Sequence, residues 1–211
     1  NKKPNKPKNK IILNFDEGAK VELIGNKPEE FFIEFIDPNA NKLVHQAYIK
    51  NNTWTCTSVQ YYVPWLIFIN NKLVYNLDLT NQKVKITFDS SSIGDTLAWI
   101  PQVVEFQKKH NCELIVSTFF NEWFENLEAY KNIKFIKPNL PIKCLAQYKL
   151  GWFKENGKWD NYKIHKNKPN TIPLIQAATD ILDLPFKEIN YGIDFKPKDR
   201  PLKEKYICIG P

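Results

Sequence analysis

The chain of 211 residues has no methionine, a single arginine and only seven glycines. Without a methionine it is expected to be an excised piece of a longer protein. Its last residues, Tyr206-Ile-Cys-Ile-Gly-Pro211, read the same way, as a strand just delivered to a loop. One arginine, Arg200, against 29 lysines argues against base-specific nucleic-acid reading, for which the planar guanidinium fork is the preferred tool. With so few glycines there is neither a Gly-x-Gly-x-x-Gly fingerprint nor a Walker loop. No apolar run approaches the ~20 residues that cross a bilayer. The best one, Tyr61 to Ile69, is interrupted by Pro64. The basic N-terminus lacks the apolar segment of a secretory signal, so a cytoplasmic location is expected. The four cysteines, Cys56, Cys112, Cys144 and Cys208, show no close metal-ligand spacing and no disulfide framework. They are expected to be reduced and buried, with no metal held in this segment.

What is present is enough to fold. Hydrophobic residues make up 43% and aromatics 14%, which excludes wholesale disorder. The net charge of +7 is local. Residues 1–10 hold five lysines and no acid, and residues 196–205 carry a net +3, leaving −1 for everything between and beyond. A nucleic-acid binder would instead spread its cations along a face, so no nucleic-acid partner is expected. The excess of lysine together with 23 asparagines reflects genome composition.

Residues 1–10 are expected to be a disordered basic tail. Residues 11–83 read as an antiparallel β-rich domain. Ala19 to Ile24 alternates with Val21 and Leu23 on one side, and Phe31 to Ile36, Leu43 to Ile49 and Thr53 to Val59 follow as strands. Leu66 to Ile69, a turn at Asn70-Asn71, and Leu73 to Leu77 read as a hairpin. Over residues 84–211 the pattern changes to strand–helix alternation. Val84 to Phe88 is a strand, Thr96 to Lys109 a helix, Leu114 to Thr118 a strand, Glu122 to Leu127 helical and Ile133 to Ile136 a strand. Cys144 to Leu150 adds a further strand, residues 151–170 a polar excursion, Pro173 to Leu182 a helix and Tyr206 to Ile209 a last strand. Short apolar strands alternating with helices predict an α/β fold with a parallel sheet.

The segment most suited to chemistry is Phe88-Asp-Ser-Ser-Ser-Ile-Gly-Asp-Thr-Leu-Ala-Trp-Ile-Pro101. In such sheets ligands bind beyond the carboxyl ends of the strands, where loops enter helix N-termini. Ser92 offers a hydroxyl, Gly94 permits close backbone approach, and Thr96 lies in the first turn; these are the candidate substrate-binding residues. Asp95 has two readings. One is an N-cap, the commoner meaning of Asp before a helix. The other is a carboxylate poised to take a proton from an acceptor hydroxyl. Spacing alone favours the cap. Pro101 predicts a bend near Leu97. His45, His110 and His165 share no ligand spacing, and His110 reads as a structural cation at a helix C-terminus. Asp180 and Asp183 read as solvated. Trp54, Trp65, Trp99 and Trp123 could stack on sugars but read first as core aromatics, and Trp152 and Trp159 are the better candidates for a binding surface.

The segment Gly94-Asp95-Thr-Leu-Ala-Trp-Ile-Pro101 resembles the first loop and helix of the autotransporter O-heptosyltransferases of glycosyltransferase family 9. The similarity continues in Val104 to Cys112, Val116-Ser-Thr118, Ala146 to Trp152, Gln176 to Pro185 and Lys205 to Cys208, and residues 18–88, notably Pro64-Trp65, are similar to the family's N-terminal β domain. Asp183 stands where the family pattern would have Gly. The resemblance implies the first, acceptor-side Rossmann-like lobe of a GT-B glycosyltransferase, preceded by an N-terminal antiparallel β domain. It implies transfer of heptose from ADP-heptose to serine hydroxyls of an autotransporter passenger, with Asp95 as catalytic base and cap at once. The nucleotide-sugar lobe and an iron-binding cysteine cluster would lie in the C-terminal half, beyond this chain, so residues 1–211 alone are expected to be inactive. A homo-oligomer is compatible with this picture. The alternatives are a lipopolysaccharide-type heptosyltransferase, another GT-B sugar transferase, or a non-enzymatic carbohydrate- or protein-binding module. Residues 11–88 would either dock the protein acceptor or brace the lobe behind them.

Overall fold

The computed structural model describes residues 9–154, 156–158 and 162–193. Eleven strands and two α-helices lie among them. The strands are β1 (Lys10–Asn14), β2 (Lys20–Ile24), β3 (Glu30–Asp37), β4 (Lys42–Lys50), β5 (Thr53–Cys56), β6 (Leu66–Ile69), β7 (Lys72–Asn76), β8 (Lys83–Phe88), β9 (Glu113–Ser117), β10 (Ile133–Phe135) and β11 (Ala146–Leu150). The helices are α1 (Ile93–His110) and α2 (Leu174–Leu182).

The N-terminal part forms two antiparallel sheets, ordered β1-β2-β5 and β4-β3-β6-β7. Val21 and Leu23 alternate inward as predicted and are buried. The tight turns rest on asparagine. Asn41, Asn52, Asn70, Asn71 and Asn81 all take positive φ, the left-handed conformation in which Asn is the usual substitute for Gly. Asn70 and Asn71, with φ of 51° and 62°, close the β6–β7 hairpin.

The second part carries a four-stranded parallel sheet ordered β10-β9-β8-β11. In chain order its strands run 3-2-1-4, as in one half of a doubly wound fold. The first strand therefore has the second on one side and the fourth on the other, and the reversal point falls between β8 and β11. Phe88 of β8 meets Trp99 of α1, with ring centroids 6.0 Å apart, so this helix covers one face of the sheet.

The two parts share one hydrophobic core that runs from Phe15 to Leu182. Phe15 makes a parallel bridge to Ala146, which ties the chain just after β1 to β11. Tyr62 donates its backbone N–H to Ile181 of α2 at 2.8 Å. Its ring packs against Phe106 and His110 of α1 and Tyr148 of β11.

Several expectations are corrected. Lys10 is not part of a free tail but pairs with Ile24. β5 stops at Cys56, because Thr57 turns inward and bonds Ala19 through both its N–H and its hydroxyl. Residues 122–127 form no α-helix. A 3-10 turn spans Asn121–Trp123, and the Asn121 side chain bonds Thr118 and the Ile136 carbonyl instead of supporting a helix. α1 starts at Ile93 and not at Thr96, and it includes Pro101. Tyr206 to Ile209, Cys208, Trp159 and the basic segment 196–205 lie outside the described residues.

Candidate active site

α1 begins at Ile93, and its N-cap is Ser92, not Asp95. The Ser92 Oγ accepts the Asp95 backbone N–H at 3.4 Å. Asp95 is thus the third helical residue, in the acidic position of a capping-box arrangement. With the cap supplied by Ser92, the Asp95 carboxylate is available for other partners. Its Oδ2 accepts the Ser90 hydroxyl at 2.6 Å and the Trp152 indole Nε1–H at 2.8 Å.

These partners come from different strands of the sheet. Ser90 follows β8, and Trp152 follows β11. The two strands pair in parallel, Phe88 opposite Leu150, and the ladder is extended by the Asp89 N–H on the Leu150 carbonyl at 2.8 Å. Gly151 allows the two exits to touch. A Cβ there would lie 2.9 Å from the Asp89 Cβ and 2.9 Å from the Phe153 ring. The carboxylate therefore stands at the carboxyl end of the sheet, at its point of reversal, where open α/β sheets bind ligands.

The predicted site residues divide. Asp95 is half-buried, and Ser92 and Gly94 are exposed beside it. A Cβ on Gly94 would meet only the Ser92 Oγ at 3.8 Å, so the backbone there faces open space. Thr96 does not join them. It is fully buried and its hydroxyl donates to the Ser92 carbonyl at 3.0 Å, which secures the helix start and removes it as a ligand contact. Sequence reasoning had not linked Ser90 to Asp95. It placed Trp152 on a binding surface without a partner; the pairing depends on β8 and β11 being neighbours although far apart in the chain, which no local pattern encodes.

Other titratable groups are structural. His110 is not a cation: burial first, then the neighbouring Lys109, lowers its pKa to about 4. Among the described residues its buried Nε2 has no hydrogen-bond partner. Asp183 is not solvated alone but pairs with Lys166 and Lys109. Burial works to raise its pKa, and these two cations outweigh it, so the carboxyl titrates below its usual range. It adopts φ 53° at the end of α2, the left-handed conformation for which glycine is suited. Asp180 accepts a hydrogen bond from Asn167 at 2.6 Å. Cys56, Cys112 and Cys144 are free thiols; Cys112 is buried, but Cys56 and Cys144 are only half-buried. Burial pushes the Cys112 and Cys144 thiols up to about 11. Among the described residues no group of three or more His, Cys, Asp or Glu side chains is placed to hold a metal. No described helix is long and apolar enough to cross a membrane.

A hollow of about 590 Å³ lies elsewhere, over β1, β2 and β5, lined by Asn14, Lys20, Glu22 and Trp54. It is roomy, but the Lys20 ammonium sits over the Trp54 ring at 4.6 Å. Convergence of hydrogen bonds on one carboxylate beside a helix N-terminus is the stronger sign of chemistry, so Asp95 marks the candidate site.

No protein-family model matches the chain. It is 25% identical over 94% of its length to an inactive autotransporter heptosyltransferase, BimC, of Burkholderia thailandensis. It is 26% identical to the autotransporter heptosyltransferase TibC of Escherichia coli O78:H11 and 28% identical to the autotransporter heptosyltransferase BAHTCr of Citrobacter rodentium, each over 94% of its length. The chain spans about half the length of these relatives: 47%, 49% and 48%. Its fold matches the crystal structure of the iron-containing dodecameric glycosyltransferase TibC with a TM-score of 0.75 and 21% identity, over 94% of this chain and 53% of that one. A second TibC structure, a complex with ADP-D-beta-D-heptose, matches with a TM-score of 0.72 over 85% of this chain and 47% of that one. The curated homologues of this chain are therefore autotransporter heptosyltransferases, and the shared region is nearly all of this chain and about half of each relative.

Proposed function

We propose that the whole protein transfers heptose from ADP-heptose to serine hydroxyls of an autotransporter passenger in the cytoplasm, and that this chain supplies the acceptor-side lobe of a GT-B enzyme. The observation that carries the reading is Asp95, a carboxylate held by two hydrogen bonds at the carboxyl mouth of the sheet. Glycosyl transfer needs a base for the acceptor hydroxyl, and positioned bases supply such steps. Ser92 and Gly94, exposed beside Asp95 at the start of α1, would meet the substrate with a hydroxyl and open backbone.

The donor pocket would lie mainly in a second lobe, so residues 1–211 alone should not transfer sugar. The Escherichia coli relative is described as iron-containing and dodecameric. The described residues of this chain do not fit a metal, so we assign an iron-binding cysteine cluster to the part of the relatives' length that this chain does not span. Assembly of the whole protein into a homo-oligomer belongs to the same reading.

Incubation of the whole protein with ADP-heptose and a passenger fragment should add heptose masses to serine-containing peptides. Transfer to a lipopolysaccharide core alone would give the acceptor to the lipopolysaccharide-type reading. One relative, the Burkholderia protein, is described as inactive. Absence of transfer and of donor hydrolysis would make this protein, too, inactive as a transferase and favour the binding-module reading.

A further inference from the structure

Both hydrogen bonds to Asp95 fall on the same oxygen. Oδ2 takes the Ser90 hydroxyl at 2.6 Å and the Trp152 indole N–H at 2.8 Å, and among the described residues Oδ1 takes none. The indole is itself fixed. The Trp152 ring packs on Trp99, centroids 5.7 Å apart, and Trp99 is fully buried with its own Nε1–H on the Leu174 carbonyl at 2.9 Å. α2, α1 and the exit of β11 thus lock the donor that reaches Asp95. Two hydrogen bonds accepted by one oxygen restrain rotation of the carboxylate and leave the lone pairs of the second oxygen open to a further donor.

We infer that Trp152 and Ser90 are positioning residues that hold Asp95 so that its Oδ1 is the proton-accepting atom. The inference rests on the transferase reading above. In that reaction the acceptor hydroxyl proton passes to Oδ1 as the hydroxyl oxygen bonds the anomeric carbon of the sugar. The bond from that carbon to the diphosphate breaks, and its electron pair leaves with the nucleoside diphosphate. Trp152 acts through Asp95, so it should influence the rate of this step and not the binding of either substrate. A Trp152 ring that instead formed a stacking surface for sugar would influence binding.

The test is a kinetic cycle in the whole protein with ADP-heptose and a passenger fragment. Trp152→Phe keeps an aromatic ring against Trp99 and removes the N–H. It should lower kcat about 10- to 100-fold, the scale of a misplaced catalytic group, with KM for both substrates nearly unchanged. Introduced into Asp95→Asn, the same change should cost no further rate, because the carboxylate it positions is gone. Ser90→Ala removes the other donor from a half-exposed side chain outside the core, and should lower kcat in the same coupled way even if the tryptophan variant does not fold. A wild-type kcat in Trp152→Phe and Ser90→Ala overturns the inference. So does a rise in KM at constant kcat, or an equal loss in the Asp95→Asn background. Full activity of Asp95→Asn itself would instead overturn the transferase role of Asp95, a separate outcome.

Discussion

The antiparallel sheets present broad faces to solvent, whereas the central strands of the parallel sheet, β8 and β9, present little more than their ends. Tyr48 is 69% exposed and Trp54 57%, both on strands of the N-terminal region. In β9 every residue after Glu113 is buried. A strand buried on both faces can meet a ligand only where it stops, and Asp95, Ser90 and Trp152 converge beyond the ends of β8 and β11. The exposed faces of the first region offer area without convergence. The difference separates a place where chemistry can be held from a surface that can only be covered.

The largest effect should come from removing the first region altogether. Residues 11–83 share one core with the lobe behind them, through Phe15, Tyr62, Trp65 and Leu79 among others. Their deletion from the whole protein should yield an aggregated product with no cooperative melting transition. A folded deletion variant that still hydrolyses donor but leaves the passenger unmodified would instead make the region a separable docking domain.

Gly151→Ala sharpens the comparison within the lobe. The added methyl would lie 2.9 Å from the Asp89 Cβ, so the exits of β8 and β11 must part. Overpacking of this kind costs about 1–3 kcal/mol. Activity should fall further than that stability loss explains, because Trp152 moves off Asp95; equal activity at the same melting temperature would break the link.

The contact between the two regions carries a pH dependence. His110 packs on Tyr62 from the first region, and its pKa falls from 6.5 to about 4. The unfolded chain gains a proton as pH drops below 6.5, and the folded chain gains it only near 4. Stability from the neutral imidazole is therefore complete above pH 6.5 and is lost progressively toward pH 4. Asp78 and Asp183 oppose this shift and Lys109 adds to it. His110→Phe should flatten the fall in melting temperature between pH 7 and 5; an unchanged slope would assign the dependence to other groups.

The smallest effect belongs to an exposed face. Trp54→Ala removes only a surface ring and the Lys20 stacked over it, so the loss should stay under about 1 kcal/mol. Its melting curve checks this, and a larger loss would mean that the face is not merely solvent-covered.

Sequence alone reached much of this division. Alternation placed Val21 and Leu23 inward, and the change from hairpins to strand–helix units marked the onset of the parallel sheet. Asparagine doing the work of glycine at Asn70 and Asn71 made one hairpin legible. The segment around Asp95 was found because strand, serine loop and helix are adjacent in sequence. The helix start was misjudged by three residues, since Ser92 and Asp95 are both capable caps and only the backbone decides between them. The false helix at 122–127 has the composition of a helix, but the Asn121 side chain ties that loop to β9 and β10. Trp152 could not be joined to Asp95 beforehand, because strand order within a sheet is a tertiary fact.

The central claim is that the Asp95 carboxylate is the base, and Asp95→Asn in the whole protein tests it most directly. The helix start should survive, since the Ser92 cap engages only the backbone of residue 95 and the new amide oxygen can accept from Ser90 and Trp152. Transfer from ADP-heptose to a passenger fragment should fall about 100- to 10,000-fold with the melting temperature nearly unchanged. Transfer at the parent rate by a folded Asp95→Asn protein would contradict the account.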